Sequence, residues 1–266
     1  MKTMPNLGMG TYRLTGELGY NTVKRGLELG YRHIDTAQFY KNEGDVGAAI
    51  ADSSVARSDI FLTTKIWFDK LGEDFFMPSV EESLRKLKVS SVDLLLVHWP
   101  SPDGLPMEEY LLRLLKAQEL GLTENIGVSN FTNAQIDQAI AILGKGKLLT
   151  NQVEVQPYLQ NRAVINHCKE NNILVTGYMP LAVGKVMNDP LLSDIAKSRS
   201  ASIAQIVIAW ELQQGLATIP SSSNPDNLAN NLKAKDIILS EQEMQEISTL
   251  DCGDRIADSD FSPDWD

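Results

Sequence analysis

The sequence predicts one α/β domain of the (β/α)8 TIM barrel class that covers residues 1–266. Short β-rich runs alternate with amphipathic helical stretches from about residue 20 to residue 250, and no low-complexity linker divides them. Strand–helix units of roughly 30 residues fit right-handed βαβ crossovers, which produce a parallel sheet. Because about eight strands can be counted, a closed barrel is favoured over an open doubly wound sheet.

Several strand candidates are apolar at consecutive positions. This pattern is typical of parallel strands that are covered on both faces. In order, the candidates are YRHIDTA (31–37), IFLTTKI (60–66), VDLLLVHW (92–99), NIGVSN (125–130), LLTNQVEV (148–155), ILVTGYM (173–179), ATIPSS (217–222) and DIIL (236–239).

The helices between the strands have recognisable ends. The first, NTVKRGLELG, places Val23 and Leu27 on one face and is predicted to end at Gly30. The Ser/Thr-x-x-Glu/Gln capping box predicts four further helix starts. They are SVEE at Ser79, TNAQ at Thr132, SIAQ at Ser202 and SEQE at Ser240.

Composition excludes several classes of function. The net charge of −11 argues against nucleic acid or an anionic membrane as a partner, because a diffuse negative field repels phosphate. No apolar run has the length of a signal peptide core or a membrane span, so a cytoplasmic protein is expected. Cys168 and Cys252 are far apart and outside any CxxC motif, so neither a disulfide framework nor a metal site is predicted.

Active sites of such barrels lie at the C-terminal ends of the strands, so polar residues there are the candidates for chemistry. Singly, each has an ordinary explanation: Asp35 can be a cap, Lys65 a surface lysine and His98 a core histidine. Their convergence on one barrel mouth favours a joint function. The strand ends carry Asp35, Lys65, His98, Ser129, Asn130, Gln152, Glu154, Tyr178 and the run Ser221–Ser223.

Asp35 and Lys65 are predicted to form a buried ion pair, because a carboxylate that closes a buried strand needs a partner. The lysine cation is expected to lower the pKa of a nearby phenol, and Tyr40 lies one loop beyond Asp35. Tyr40 would then donate a proton to a developing alkoxide, while His98 would bind the same oxygen. This arrangement suits carbonyl reduction.

Protein side chains do not donate hydride, so the reaction would need a nicotinamide cofactor. Ser129, Asn130 and Gln152 offer hydroxyl and amide groups to a carboxamide, and the ring of Tyr178 can stack on a flat ligand. The same residues also have structural explanations, because a Ser-Asn pair can cap a helix and a tyrosine can line a barrel.

Motifs along nearly the whole chain resemble those of the aldo-keto reductases. In order they are GMGTY, GYRHIDTAQFYKNE, LTTKIW, DLLLVHWP, IGVSNF, NQVEVQPY, TGYMPLA, IPSSS and LSEQEM. Within that family the chain is most similar to the bacterial 2,5-diketo-D-gluconate reductases, notably in HWPSP, YLQNR and the closing PDWD. The resemblance implies reduction of small aldehydes and ketones, such as keto-sugar acids and methylglyoxal, by a catalytic tetrad of Asp35, Tyr40, Lys65 and His98.

The resemblance also implies where the ligands bind. Phe261 and Trp265 of a C-terminal loop, at about residues 252–266, are candidates for covering the active site. Substrate would contact Tyr12, Trp67, Trp99 and His98. The implied cofactor-binding residues are Ser129, Asn130, Gln152, Tyr178, Leu181, Lys185, Ser221, Ser222, Ser223, Asn227 and Asn231, with Leu181 and Lys185 near the pyrophosphate.

The segment IPSSSNPDNLANN departs from the family where the 2′-phosphate of NADPH would bind. Ser221 and Asn227 replace a lysine and an arginine, and Asp226 adds a negative charge. Losing charge-assisted contacts, each worth ~1.5–3 kcal/mol, should weaken NADPH binding. Serine hydroxyls and a helix N-terminus near Pro225 can still bind a phosphate. NADPH is therefore the predicted cofactor, with NADH as the alternative.

Other functions fit parts of the sequence. GVSNF approaches the GxSxG nucleophile elbow of hydrolases, but Phe131 takes the place of the second glycine and only His167 follows Ser129. Lys65 could form a Schiff base in a lyase, although a lysine paired with Asp35 stays protonated and is a poor nucleophile. A cofactor-sensing subunit with negligible turnover is the third alternative. The chain is predicted to be a monomer whose partner is a small carbonyl compound.

Overall fold

Eight parallel strands pair in the order in which they occur along the chain. The structure is a computed structural model that describes residues 2–266. The strands are β1 (Met9–Gly10), β2 (His33–Asp35), β3 (Phe61–Ile66), β4 (Val92–Val97), β5 (Thr123–Ser129), β6 (Leu148–Glu154), β7 (Leu174–Tyr178) and β8 (Ala217–Thr218).

The sheet closes on itself between its first and last strands. The amide of Gly8 donates to the carbonyl of Thr218 at 2.9 Å, and the amide of Gly10 donates to the carbonyl of Pro220 at 3.1 Å. Leu7 and Thr218 form a parallel bridge. The prediction of a (β/α)8 barrel is confirmed, and closure leaves no unpaired sheet edge in the barrel.

Two strand assignments need correction. The first strand is β1, in the GMG motif, and DIIL is not a strand: a 3-10 turn covers Lys233–Asp236, and the Ile238 side chain is 76% exposed. β1 escapes pattern analysis because it has only two residues. DIIL has no place in the barrel because β8 already pairs with β7 and bonds to residues 6–8.

Within residues 2–266, ten α-helices surround or follow the strands. They are α1 (Gly16–Leu29), α2 (Glu43–Ala51), α3 (Glu73–Leu87), α4 (Met107–Glu119), α5 (Asn133–Leu143), α6 (Arg162–Glu170), α7 (Pro190–Ser198), α8 (Ile203–Gln213), α9 (Pro225–Leu232) and α10 (Glu241–Ser248). None of the helices in residues 2–266 is both long and apolar enough to span a membrane.

Three of the four predicted capping boxes are confirmed. Thr132, Ser202 and Ser240 each accept a hydrogen bond from the third helical amide, and the residue at that position bonds back. Ser79 is wrong, because α3 begins six residues earlier, after Gly72. The hydroxyl of Ser79 donates to a carbonyl in the preceding turn and so caps no amide.

The first helix ends as predicted. Gly30 adopts a left-handed conformation with φ of 112°, which closes α1. Val23 and Leu27 are fully buried, and such burial stabilises a fold by about 1.5–3 kcal/mol for each side chain. The apolar face of α1 is thereby fixed against the barrel.

Alternation along the strands separates two layers. On β4, Leu95 and Val97 belong to the large core between barrel and helices, whereas Leu94 and Leu96 belong to a smaller cluster. On β3, Phe61 belongs to that smaller cluster, and Lys65 shares its face because side chains repeat with a period of two. The strand pattern therefore directs Lys65 to the barrel interior.

Candidate active site

Lys65 is the centre of the polar groups at the C-terminal end of the barrel. Its ammonium donates to Oδ1 of Asp35, to the carbonyl oxygen of Thr36 at 3.0 Å and to Oη of Tyr40 at 3.1 Å. An ammonium has three N–H donors, so all of them are used. Lys65 is fully buried and Asp35 nearly so. The predicted ion pair is confirmed.

Tyr40 is held at the site by the loop that follows β2. It ends a 3-10 turn, Gln38–Tyr40. The side chain of Asn42 donates to the carbonyls of Thr11 and Leu14 and accepts from the hydroxyl of Thr36 at 2.7 Å. Asn42 is buried, and its role was not anticipated although it lies within the GYRHIDTAQFYKNE motif.

One electrostatic prediction is wrong. Lys65 does not lower the pKa of the Tyr40 phenol: burial and the neighbouring Asp35 carboxylate raise that pKa well above its ordinary value. The Lys65 charge is balanced by Asp35 at closer range, so desolvation decides the outcome. Tyr40 is a firmly protonated phenol in this protein.

His98 follows β4 and faces a wall of aromatic rings. Its ring centroid lies 5.7 Å from that of Tyr40 and 5.1 Å from that of Trp67, both edge to face. Burial and the Lys65 charge lower the pKa of His98 well below its ordinary value, so the imidazole is neutral near pH 7. Its Nδ1 atom is buried and has no hydrogen-bond partner in residues 2–266.

A second polar group joins the ends of β5, β6 and β7. Ser129 donates to the carbonyl of Gln152 at 2.7 Å, and Asn130 donates to the carbonyl of His98 at 3.0 Å. The hydroxyl of Tyr178 donates to Oδ1 of Asn130 at 2.7 Å. Asn130 has a φ of 62°, a left-handed conformation that asparagine tolerates better than most residues.

The two groups are connected, because Nε2 of Gln152 donates to Oδ2 of Asp35 at 2.9 Å. Both carboxylate oxygens of Asp35 are therefore bonded. The sequence predicts a cofactor contact for Gln152, but a bond to a residue 117 positions away leaves no signal in the sequence.

Comparison with known proteins now adds to the geometry. Residues 6–251 match the Aldo/keto reductase family. The chain belongs to that family.

Named relatives of this aldo/keto reductase align along its full length. It is 46% identical to the methylglyoxal reductase DkgB of Salmonella typhimurium over 266 residues, with 99% of this chain and 100% of the relative covered. A crystal structure of a candidate 2,5-diketo-D-gluconic acid reductase B superposes with a TM-score of 0.96 at 38% identity, covering 99% of this chain and 94% of the other. An aldo/keto reductase from Brucella melitensis superposes with a TM-score of 0.89 at 35% identity, covering 94% and 95%.

The remaining predicted cofactor residues lie in the loops after β7 and β8. Leu181 and Lys185 belong to the segment after β7, where Lys185 forms an ion pair of 2.6 Å with Asp254. Helix α9 begins at Pro225, and the side chain of Asn224 caps it. After β8 the chain carries exposed Ser221, Ser223 and Asn227, partly buried Ser222 and buried Asn231.

Aromatic residues surround the mouth of this reductase. The predicted substrate residues Tyr12 and Trp67 lie beside Tyr40 and His98, respectively, with centroid distances of 5.1 Å in each case. Phe39, which was not predicted, stacks on Trp67 at 4.1 Å. In the C-terminal loop, Phe261 contacts Trp67 and Trp99, and Trp265 contacts Trp99.

Proposed function

We propose that this protein catalyses NAD(P)H-dependent reduction of small aldehydes and ketones, with Tyr40 as the general acid. The observation that carries the proposal is the contact between Lys65 and Tyr40. Lys65 donates a hydrogen bond to Tyr40 Oη, so the phenol oxygen is the acceptor. The proton of the phenol is therefore free to be donated to a substrate.

Tyr40 would donate that proton to the carbonyl oxygen as negative charge develops there. Its pKa, raised by burial, keeps the phenol protonated throughout the physiological pH range. The Lys65 hydrogen bond stabilises the phenolate that remains after proton transfer. General acid catalysis of this kind typically contributes a factor of about 10² to 10⁴ in rate.

His98 would orient the substrate. A neutral imidazole retains one N–H donor, which is able to hydrogen-bond the same carbonyl oxygen. The ring edges of Trp67 and Tyr40 restrict the orientation of the imidazole. His98 therefore serves as a positioning donor, and Tyr40 supplies the proton.

The chemistry of the buried amides fits a nicotinamide cofactor, which supplies the hydride when bound. Gln152 Oε1 accepts no hydrogen bond from the described part of the chain, so it is available to a carboxamide N–H. Ser129 and Asn130 lie next to it, and the half-buried ring of Tyr178 offers a flat surface. NADPH remains the first choice, with NADH as the alternative.

The substrate class is supported by the relatives. One is named a methylglyoxal reductase and one a candidate 2,5-diketo-D-gluconic acid reductase B. We accordingly propose α-dicarbonyls such as methylglyoxal and keto-sugar acids such as 2,5-diketo-D-gluconate. A cytoplasmic location and a monomeric state remain predictions.

Schiff-base chemistry on Lys65 is disfavoured. Burial lowers the pKa of Lys65, but the Asp35 carboxylate opposes that shift. All three N–H groups of the ammonium are hydrogen-bonded, and a protonated amine has no lone pair to attack a carbonyl. A cofactor-sensing subunit would keep the same site and differ only in turnover. Borohydride trapping of a carbonyl substrate on Lys65 tests the lyase. The reductase and the sensing subunit are distinguished by one assay.

That assay follows nicotinamide oxidation on methylglyoxal with NADPH and with NADH, for the wild type and for Tyr40→Phe. We expect Tyr40→Phe to lose at least roughly 100-fold in kcat while cofactor affinity changes little, because only the transferred proton is removed. Wild-type turnover in Tyr40→Phe would disprove the acid assignment. Absence of turnover on methylglyoxal and on 2,5-diketo-D-gluconate, despite cofactor binding, would favour the sensing subunit.

A further inference from the structure

Glu154 closes β6 with a fully buried carboxylate. The Arg255 guanidinium lies near enough to interact with its charge, although the two form no direct ion pair. Its two oxygens accept from the backbone amide of Ile256 at 3.1 Å, and Oε2 also accepts from the amide of Ala257 at 2.7 Å. A buried charge is costly unless it is hydrogen-bonded, and charged acceptors form the stronger bonds. Gln156 adds a longer bond of 3.4 Å to Oε1, so the C-terminal segment supplies the shorter bonds to this carboxylate.

Other contacts attach the same stretch to the end of β6 and the loop after it. Gln156 donates to the carbonyl of Asp254 at 2.8 Å, and the carbonyl of Tyr158 accepts from the amides of Cys252 and Asp254. Arg255 donates to Asn161 Oδ1 at 3.1 Å. Lys185 also pairs with Asp254 at 2.6 Å, but both of those side chains are partly exposed, so Glu154 is the fully buried charged group of the attachment.

The residues immediately after this attachment form the outer wall of the site. Phe261 lies 5.7 Å from Trp67 and 5.1 Å from Trp99, and Trp265 lies 6.0 Å from Trp99, measured between ring centroids. The guanidinium of Arg255 lies 3.8 Å over the ring of Trp265. The path of the chain from Ala257 therefore decides where both rings lie.

We infer that Glu154 is a positioning residue for substrate selection: by binding the amides of Ile256 and Ala257, it places Phe261 and Trp265 against Trp67 and Trp99. The inference rests on the proposed reductase function. Glu154 itself touches neither the carbonyl nor Tyr40 in this scheme. Its effect passes through the C-terminal segment to the half of the pocket that binds substrate.

The attachment is tested by amide hydrogen exchange on the full-length protein, without substrate. In Glu154→Ala, exchange at Ile256 and Ala257 should speed up by at least roughly tenfold, because local opening no longer breaks charge-assisted bonds. Glu154→Gln keeps one acceptor oxygen, so its exchange rates should lie between those of the wild type and Glu154→Ala. Ala257→Pro removes the Ala257 amide donor and leaves the Glu154 side chain in place. This variant should also speed exchange at the Ile256 amide.

The selection role is tested by kinetics on the same variants. KM for the carbonyl substrate should rise by roughly tenfold in Glu154→Gln and Ala257→Pro, the loss expected for one charge-assisted bond, with cofactor affinity unchanged. Combining Ala257→Pro with Phe261→Ala should add little to either change alone, because both act through the same segment. Asp260→Asn, an exposed change in the loop, is the matched control.

Exchange that is unchanged in both Glu154→Gln and Ala257→Pro would overturn the attachment, whatever the activity. Faster exchange with unchanged KM, or with equal losses in cofactor affinity, would overturn the selection role. A wild-type protein that reduces no carbonyl would overturn the proposed function, while the exchange result would still stand or fall by itself.

Discussion

Gln152 and Asp35 are joined by a 2.9 Å hydrogen bond across the barrel interior. Gln152 lies on β6 and Asp35 ends β2, four strands away in an eight-stranded closed sheet. Asp35 is bonded at its other oxygen to Lys65, which bonds Tyr40. The proposed acid and the proposed cofactor residues therefore share one hydrogen-bond network.

Gln152→Glu should disrupt this network electrostatically. A second carboxylate beside Asp35 would repel it, and one of the two would take up a proton with a raised pKa. We expect kcat/KM to fall by at least roughly tenfold at pH 8 and to recover partly as the pH is lowered, since protonation restores a donor. The measurement is the pH profile of kcat/KM, with the exposed Gln245→Glu as control. A uniform loss at every pH would point to a steric cause instead.

The segment after β8 predicts how the cofactor preference can be changed. No basic side chain occurs from Ser221 to Asn227, and Asp226 is acidic. Ser221→Lys should raise NADPH affinity by roughly tenfold or more, the value of one charge-assisted contact, and leave NADH affinity unchanged. Cofactor titration by fluorescence measures both. Equal gains for both cofactors would show that the 2′-phosphate does not lie beside residue 221.

Stability should fall in acid because two histidines are buried in the neutral form. Burial lowers the pKa of His33 and, with the Lys65 charge, that of His98 below the ordinary value of 6.5. As the pH falls, these two histidines are therefore protonated in the unfolded chain at a higher pH than in the folded protein. The histidine contribution to the free energy of unfolding should be complete above about pH 6.5 and decrease below it, by about 1.4 kcal/mol for each pH unit and each histidine. The raised pKa values of Glu211 and Glu43 act in the opposite direction, so the histidine contribution is read from the difference between variants.

Denaturant unfolding between pH 7 and pH 5 measures that slope. His98→Gln should reduce this slope by the contribution of one proton, whereas the control Gln245→Ala, an exposed position on α10 without a titratable group, should leave it unchanged. An identical slope in wild type and His98→Gln would contradict the assignment of a neutral buried imidazole.

Glu211→Gln should stabilise the protein. The carboxyl of Glu211, on α8, is fully buried beside the hydroxyl of Thr218, and burial raises its pKa well above the ordinary value in spite of that neighbour. Above about pH 4.5 the Glu211 carboxyl is ionised in the unfolded chain but still protonated in the folded protein, so the free energy of unfolding decreases as the pH rises. The variant should gain about 1 kcal/mol or more at pH 7, and the gain should vanish near pH 4, where the carboxyl is protonated in both states. Glu241→Gln, which is exposed, is the control in thermal unfolding.

Sequence patterns alone predicted the barrel, four helix ends and the candidate residues at the ends of the strands. Long apolar strands such as β3 and β4 are visible because six consecutive buried positions leave a continuous pattern. Asp35, Lys65 and His98 were identified because strand position alone sends them to the barrel mouth. Thr132, Ser202 and Ser240 were identified as helix caps because the capping interaction lies within four residues of sequence.

Features that depend on distant segments become visible only in the folded chain. β1 has two residues and is defined by its partners, and DIIL failed as a strand because the barrel was already closed. The bond from Gln152 to Asp35 spans 117 positions, and that from Ala257 to Glu154 spans 103. The pKa of Tyr40 was misjudged for a related reason, since desolvation depends on everything packed around the phenol and not on its nearest charge.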